Sequence, residues 1–253
     1  MMKNPLDKQL LESLRNARSV LVLTGAGMSA ESGIPTFREA QTGMWSRFRA
    51  EELATPQAFE ANPERVWLWY EERRRKARAA QPHAGHHALA ELARLLPSVF
   101  LVTQNVDGLH QRAGSKGVIE LHGSLEKFKC SITHRPISRS WLDEAEGTPP
   151  ASPYIRKGLA RPDIVWFGEA LFDGDLDRIE RSLAGCDLFL VVGTSGVVYP
   201  AAGLVGHARA LGKETVCVNL EPPANAELFD RFLEGSAGEV LSASLFPGVS
   251  KNI

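Results

Sequence analysis

His122 follows the β-prone run Val118-Ile-Glu-Leu121 and precedes Gly123, which puts an imidazole at a strand end. Histidine titrates near neutrality, so one held there can act as a general base. A core-edge histidine satisfied by backbone would look the same in sequence. Asn105 and Asp107 stand two apart in Thr103-Gln-Asn-Val-Asp-Gly-Leu-His110. They can present an amide and a carboxylate to a polar ligand, or serve only as turn formers. Tyr70 and Arg73 are three apart in a stretch that reads as helical, hence on one face. A phenol beside a guanidinium can hold a carboxylate. Equally, Tyr70 can close an apolar stripe with Val66 and Trp67, and Arg73 can open the solvated run to Lys76. Glu71 and Glu72 interleave with that run, which speaks against a nucleic-acid patch. His110 reads as structural or as a pocket wall. His83, His86 and His87 read as a capped, solvated helix start.

A second feature is glycine-rich. Val20-Leu-Val-Leu-Thr-Gly25-Ala-Gly27-Met-Ser-Ala30 is a strand running into a G-x-G-x-x-A turn. Glycines there let backbone approach a pyrophosphate, and a following helix would aim its amides at the charge. The same spacing also makes a tight turn with no ligand. No acid stands at a clear second-strand end about 20 residues on, where a dehydrogenase would hold a ribose hydroxyl. Instead the turn runs into Glu31-Ser-Gly-Ile-Pro-Thr-Phe37-Arg38.

These residues need elements to position them. Short apolar runs recur at Val20–Leu23, Val99–Val102, Leu188–Val192 and Val216–Leu220. Runs this short and continuous suit strands buried on both faces of a parallel sheet. Helices are expected between them, at about 6–18, 85–96, 201–211 and 224–233, giving a doubly wound α/β fold. Two stretches break the alternation. Residues 41–80 read as helical, with Asn62-Pro63-Glu64 as a helix start. Residues 125–160 contain Thr148-Pro-Pro150 and no clear period. Together they suggest a smaller inserted module.

Bulk properties narrow the class. The chain has 253 residues and a formal net charge of -1, so long-range attraction to nucleic acid or anionic membrane is not expected. No apolar stretch approaches the ~20 residues that span a bilayer. The three cysteines, Cys130, Cys186 and Cys217, are odd in number and sparse, which suits a reducing compartment. Cys186 and Cys217 read as buried fillers. Residues 1–16 carry scattered charges and do not resemble a signal peptide. A cytoplasmic enzyme is expected, with its oligomeric state left open, a monomer included.

Gly25-Ala-Gly-Met-Ser-Ala-Glu-Ser-Gly-Ile-Pro-Thr-Phe-Arg38 resembles the cofactor-loop signature of sirtuins. So do Thr103–His110, Glu120-Leu-His-Gly123, Arg161-Pro-Asp-Ile-Val-Trp-Phe-Gly-Glu169, Gly193-Thr-Ser195 and Val197-Val-Tyr-Pro-Ala201. The blocks stand in family order from about residue 20 to 240. The resemblance implies an α/β, Rossmann-like NAD-binding domain at 1–40, 81–124 and 161–253, with a small inserted domain at 41–80 and 125–160. It implies an NAD-dependent protein-lysine deacylase, which transfers the acyl group to ADP-ribose and releases nicotinamide. His122 would be the base, with Asn105 as the second catalytic residue. Gly25, Ala26, Gly27, Glu31, Phe37 and Arg38 would line the adenine and ribose side and the mobile loop. Gln104, Asn105 and Asp107 would form the nicotinamide pocket. Gly193, Thr194 and Ser195, helped by Asn219, Glu221 and Ala237, would hold the adenosine end. Val165, Trp166, Phe167 and Gly168, with Val197 and Val198, would bracket an acylated-lysine peptide by strand addition.

Two departures and likenesses refine this. Most sirtuins carry two Cys-x-x-Cys pairs in the small module. Here Cys130 has Thr133 as its partner position, and Ser152 and Ile155 stand in the second pair. Only Cys130 and His134 remain as donors, short of the four that structural zinc needs, so no zinc is expected. Packing by Ile132, Ile137, Trp141, Tyr154 and Ile155 would hold the module instead. Residues 53–75 resemble the sirtuin branch that removes succinyl, malonyl and glutaryl groups, and its diagnostic pair falls on Tyr70 and Arg73. An NAD glycohydrolase or ADP-ribosyltransferase on the same scaffold, or a non-enzymatic NAD-binding module, are the competing readings.

Overall fold

The structure, a computed structural model, describes residues 5–36 and 49–245. In chain order α1 (Pro5–Asn16) leads to β1 (Ser19–Thr24). Helices α2 (Ala50–Leu53), α3 (Pro56–Ala61), α4 (Pro63–Ala79) and α5 (Ala84–Leu95) precede β2 (Ser98–Thr103). Next come α6 (Leu109–Arg112), β3 (Ile119–Glu120), β4 (Gly123–Cys130), β5 (Pro136–Ile137), α7 (Arg139–Glu144) and β6 (Ala160–Ile164). The last part holds α8 (Asp175–Gly185), β7 (Leu188–Val192), α9 (Leu204–Ala210), β8 (Glu214–Asn219), β9 (Arg231–Glu234) and α10 (Ala237–Leu245).

Six strands form one parallel sheet in the order β3-β2-β1-β7-β8-β9. The four apolar runs became β1, β2, β7 and β8. Successive side chains of a strand point to opposite faces, and β1 shows the result. Val20 and Val22 pack with Leu10, Leu89 and Leu92 on one face, and Leu21 and Leu23 pack with Ile179, Leu183 and Phe189 on the other. The sheet is therefore covered by helices on both sides, as a Rossmann-like fold requires. From β1 the chain builds outward first through β2 and β3, then through β7, β8 and β9. This reversal opens a crevice at the carboxyl ends of β1 and β7, the place where ligands enter such sheets.

One expected helix is absent. Residues 224–233 form a short 3-10 turn at Ala226–Leu228 and then β9, which pairs with β8 from Val216↔Arg231 to Asn219↔Glu234. Without β9 the outer edge of β8 would carry a row of unpaired backbone groups. Pairing there also buries Leu233, and the two demands outweigh the helical spacing of the segment.

A second sheet, β5-β4-β6, is antiparallel. Its strands span residues 123–130, 136–137 and 160–164, so they start before and end after the 125–160 part of the expected small module. Its core joins Leu125, Ile164 and Trp166 to Phe59, Val66, Trp69 and Tyr70 of α3 and α4. The start of α4 follows its residues: Asn62 Oδ1 accepts a hydrogen bond from the Arg65 amide at 2.9 Å, and Pro63 occupies the first helical position. A further cluster holds Trp67, Phe128, Cys130 and Ile137, with Trp141 and Tyr154 packed against it. Ile132 and Ile155 do not join it. They are 49% and 42% exposed, because Tyr154, not Ile155, turns inward, its hydroxyl donating to the Pro136 carbonyl oxygen. No described helix is long and apolar enough to cross a membrane.

Candidate functional site

The crevice is built from loops that leave neighbouring strands side by side. β1 and β7 are in register to Thr24↔Val192, so Gly25 and Gly193 emerge together. The Gly25 amide donates to the Val192 carbonyl at 3.0 Å, and the Gly27 amide donates to the Gly193 carbonyl at 2.8 Å. A β-carbon on Gly25 would lie 2.7 Å from the Gly193 oxygen, and one on Gly193 would lie 2.2 Å from the Met28 nitrogen. Gly193 also has φ +63, so here glycine serves both close approach and backbone sign. After Gly25 the chain forms a 3-10 turn, Ala26–Ser32, in place of the α-helix that the turn motif suggested.

A cleft of about 250 Å³ lies over this junction, lined by Gly27, Glu31, Gly193, Asn219 and Ala237 among others. Asn219 Nδ2 donates to the Thr194 carbonyl oxygen at 2.9 Å. Glu31, though exposed, turns both carboxylate oxygens toward α10: Ser236 Oγ donates to one at 2.9 Å and the Gly238 amide to the other at 2.6 Å. That amide belongs to the first turn of α10, where a negative charge is favourable. Glu221 is the exception. It follows β8 with an exposed side chain and lines neither cleft. Phe37 and Arg38 lie outside the described residues. A second cleft, about 300 Å³, is lined by Gln104, Thr194, Ser195 and Val198 among others.

The loop after β2 brings Gln104, Asn105 and Asp107 to the same place. The Gln104 amide donates to the Thr24 carbonyl oxygen at 2.9 Å. Asn105 Nδ2 donates to the Gly25 carbonyl oxygen at 2.9 Å and to Ser29 Oγ at 3.0 Å. Ser29 Oγ in turn donates to Asp107 Oδ2 at 2.7 Å, and Asp107 Oδ1 accepts the Leu109 amide at 2.9 Å. Burial raises the Asp107 pKa, against the pull of those two bonds and of the Arg73 charge. Ser29 was not singled out from sequence. Its only signal was a hydroxyl two residues beyond Gly27.

His122 sits between β3 and β4, half buried. Its Nδ1 is 3.1 Å from the Gln104 carbonyl oxygen. Burial lowers its pKa, while the Gln104 contact raises it, so the ring is neutral at pH 7. With Nδ1 carrying the proton toward Gln104, Nε2 holds a free lone pair. Gly123 has a structural role beside His122. Its φ is +82, and a β-carbon would lie 2.1 Å from the Asp163 oxygen, so it lets β4 press onto β6. The His122 carbonyl oxygen accepts the Val165 amide at 3.0 Å, which ties the imidazole to the Val165–Gly168 segment. Phe167 and Val197 are exposed, at 45% and 43%.

Tyr70 and Arg73 share one face of α4. Tyr70 is buried, and its hydroxyl oxygen accepts the indole N–H of Trp166 at 2.9 Å. Burial pushes the phenol up to about 12, against the Arg73 charge and the Trp166 bond. Arg73 lies over the Trp69 ring, 5.0 Å from guanidinium carbon to centroid. Burial lowers its pKa, and Tyr70 and Asp107 act in the other direction. Arg73 is therefore not part of a solvated run.

The histidines divide. His83 caps α5, with Nδ1 accepting the Gly85 amide at 3.0 Å and Nε2 lying 2.6 Å from the Met28 carbonyl oxygen. The expected cap is present and His87 is exposed as expected, but His86 is fully buried. Burial takes His86 down to about 2 and His110 to about 4. His110 Nε2 lies 2.9 Å from Thr24 Oγ1, which donates to Thr103 Oγ1 at 2.8 Å.

In the small module, a β-carbon on Gly158 would meet Ile155 Cγ2 at 2.8 Å, Cys130 Sγ at 2.9 Å and Ser152 Cβ at 3.1 Å. The Thr133 amide also donates to Cys130 Sγ at 3.4 Å, so the four positions where zinc ligands would stand converge, but they carry one thiol, two hydroxyls and a sec-butyl chain. Burial opposes ionisation of Cys130, yet bonds from Ser152, Thr133 and the Ile132 amide outweigh it and bring the thiol to about 7. Among the described residues no group of three or more His, Cys, Asp or Glu could hold a metal.

The profile of the Sir2 family matches residues 25–200. An NAD-dependent protein deacylase of Ralstonia nicotianae is 48% identical over 237 residues, covering 90% of this chain and 92% of that protein. One from Deinococcus radiodurans is 50% identical over 218 residues, covering 84% and 87%. A solved Sir2 homologue in complex with NAD superposes with a TM-score of 0.86 at 42% identity, covering 94% of this chain and 92% of that one. A mutant Sir2 homologue with 2′-O-acetyl ADP ribose gives 0.85 at 41% identity, covering 97% and 99%. With the glycine junction, the Asn105 loop and His122 standing at one crevice, these matches establish that the chain belongs to the Sir2 family.

Proposed function

We propose that this protein is an NAD-dependent protein-lysine deacylase, acting on acylated-lysine protein or peptide substrates. The observation that carries the reading is His122. Its Nδ1 is held at the Gln104 carbonyl, so a neutral Nε2 is presented beside the loop that bears Asn105. When bound, NAD supplies ADP-ribose as acyl acceptor and nicotinamide as leaving group. The glycines let the β1 and β7 loops touch backbone to backbone, and the cleft above them, lined by Gly27 and Gly193, is where a pyrophosphate would lie. Glu31, Asn219 and Ala237 support the adenosine end, and Gln104, Asn105 and Asp107 the nicotinamide end. His122 Nε2 then takes a proton from a ribose hydroxyl, a task suited to an imidazole near neutrality.

Acyl selectivity follows from Tyr70 and Arg73. A guanidinium and a phenol on one buried face favour an acyl group ending in a carboxylate, such as succinyl or malonyl. The residues of the small module do not fit zinc. Ile155 cannot ligate, and Thr133 and Ser152 offer neutral hydroxyls where thiolates are needed. We infer a zinc-free module held by the Phe128, Ile137 and Trp141 cluster. Three buried free cysteines suit a reducing, cytoplasmic setting.

The test is incubation with NAD and either succinyl- or acetyl-lysine peptide, followed by mass spectrometry for acyl-ADP-ribose. Product from wild type and none from His122→Ala is expected. No product from either peptide refutes the reading, and NAD loss without any peptide would mark a glycohydrolase instead.

A further inference from the structure

The indole of Trp166 is held on every side. Arg161 stacks on it, with the guanidinium carbon 3.2 Å from the ring centroid. Arg161 is itself buried and forms a bidentate pair with Glu169 at 2.6 and 2.9 Å. Glu169 Oε2 also accepts the Trp166 backbone amide at 2.9 Å. Phe59 and Tyr70 lie 5.3 and 6.3 Å from Trp166 between centroids. An indole N–H can only donate, so its 2.9 Å contact with Tyr70 makes the phenol oxygen the acceptor. The single hydroxyl proton of Tyr70 is then directed away from Trp166 and is free to donate.

We propose that Trp166 is a positioning residue for acyl selectivity: its indole N–H occupies the acceptor side of the Tyr70 hydroxyl and so turns the phenol proton toward an acyl carboxylate. The Arg161–Glu169 pair holds the indole in that role. The proposal rests on the acidic-acyl reading above and adds the group that decides the polarity of its phenol. A phenol without this donor can present a lone pair to the carboxylate, which repels it. Neutral acyl groups place no such demand on the proton. Burial, which keeps the phenol protonated up to about 12, preserves the donor across the working pH range.

The experiment replaces Trp166 by 3-benzothienylalanine, which keeps the bicyclic form and puts sulfur in place of N–H, with Trp166→Phe as a second variant. The readout is the ratio of kcat/KM for succinyl-lysine over acetyl-lysine peptide at saturating NAD, which is insensitive to any loss the two substrates share. Loss of one hydrogen bond should lower that ratio roughly three- to tenfold, mainly through KM for the succinyl peptide. In a Tyr70→Phe background the same replacement should leave the ratio where Tyr70→Phe alone puts it. An unchanged ratio in the benzothienyl variant, or an equal fall in the Tyr70→Phe background, overturns the proposal. If Tyr70→Phe and Arg73→Met shift the ratio while Trp166 replacement does not, this proposal alone fails. If none of the three shifts it, the acidic-acyl reading fails and the proposal with it.

Discussion

His122 Nδ1 lies 3.1 Å from the Gln104 carbonyl oxygen, a contact across two loops that places the ring proton on Nδ1 and leaves Nε2 with a free lone pair. Replacing His122 by Ala should lower kcat by roughly 10²–10⁴, the range for loss of a general base. The pH profile of kcat should fall on the acid side, because protonation of Nε2 removes the base. Its midpoint should lie below the ordinary histidine value of about 6.5, since burial lowers this pKa. A midpoint above 6.5 would assign the limb to another group.

Arg73→Met should cut activity on succinyl-lysine far more than on acetyl-lysine. A charge-assisted bond contributes ~1.5–3 kcal/mol, or roughly ten- to a hundredfold. Steady-state kinetics on paired peptides checks this, and equal losses would remove Arg73 from the acyl pocket.

Gly193→Ala should damage both the fold and the cofactor site. Its new β-carbon would lie 2.2 Å from the Met28 nitrogen, at φ +63. Strain of this kind costs about 3 kcal/mol, and the Gly25 and Gly27 backbones must shift. A lowered Tm together with weakened NAD binding by calorimetry is expected. Wild-type NAD affinity in this variant would show that the junction is not the cofactor cradle.

Buried histidines make the fold acid-labile. His86 stands at about 2 and His110 at about 4 in the folded state, against about 6.5 unfolded. Both folded values are depressed, so the stability they support is present above pH 6.5 and is lost as pH falls toward the folded values. The slope is about 1.4 kcal/mol per pH unit for each group, roughly 2 kcal/mol each by pH 5. Urea unfolding at a series of pH values should show this slope, reduced in His86→Asn.

Zinc should play no part. Metal analysis of the purified protein should find no stoichiometric zinc, and a chelator should leave Tm unchanged, whereas a structural zinc domain unfolds on chelation. A chelator-induced fall in Tm would show that Cys130 and its neighbours bind metal after all.

Much of the sheet was legible in the residues because its four central strands are continuous apolar runs, a pattern that only burial on both faces explains. β9 was not, because pairing along an open strand edge depends on a partner far away in sequence. The candidate site was legible wherever one short segment carries the proposed chemistry, as at Gly25–Gly27 and Gln104–Asp107. It was not legible where two segments share a bond. Ser29 on Asp107, Ser236 on Glu31 and Trp166 on Tyr70 span 78, 205 and 96 residues of chain.

Amino-acid order alone determined the strand periods, the glycine junction, the loss of zinc donors and the spacing that puts Tyr70 and Arg73 on one helical face. These are local properties, settled by residue type and by the geometry of a single helix, strand or turn. Only the tertiary structure decided that Glu31 bonds to the start of α10, that Glu221 lines neither cleft, that His86 is buried and that Arg161 and Glu169 close on Trp166. Each of those outcomes is a contact between distant segments, and such contacts are chosen by the packing of the whole chain.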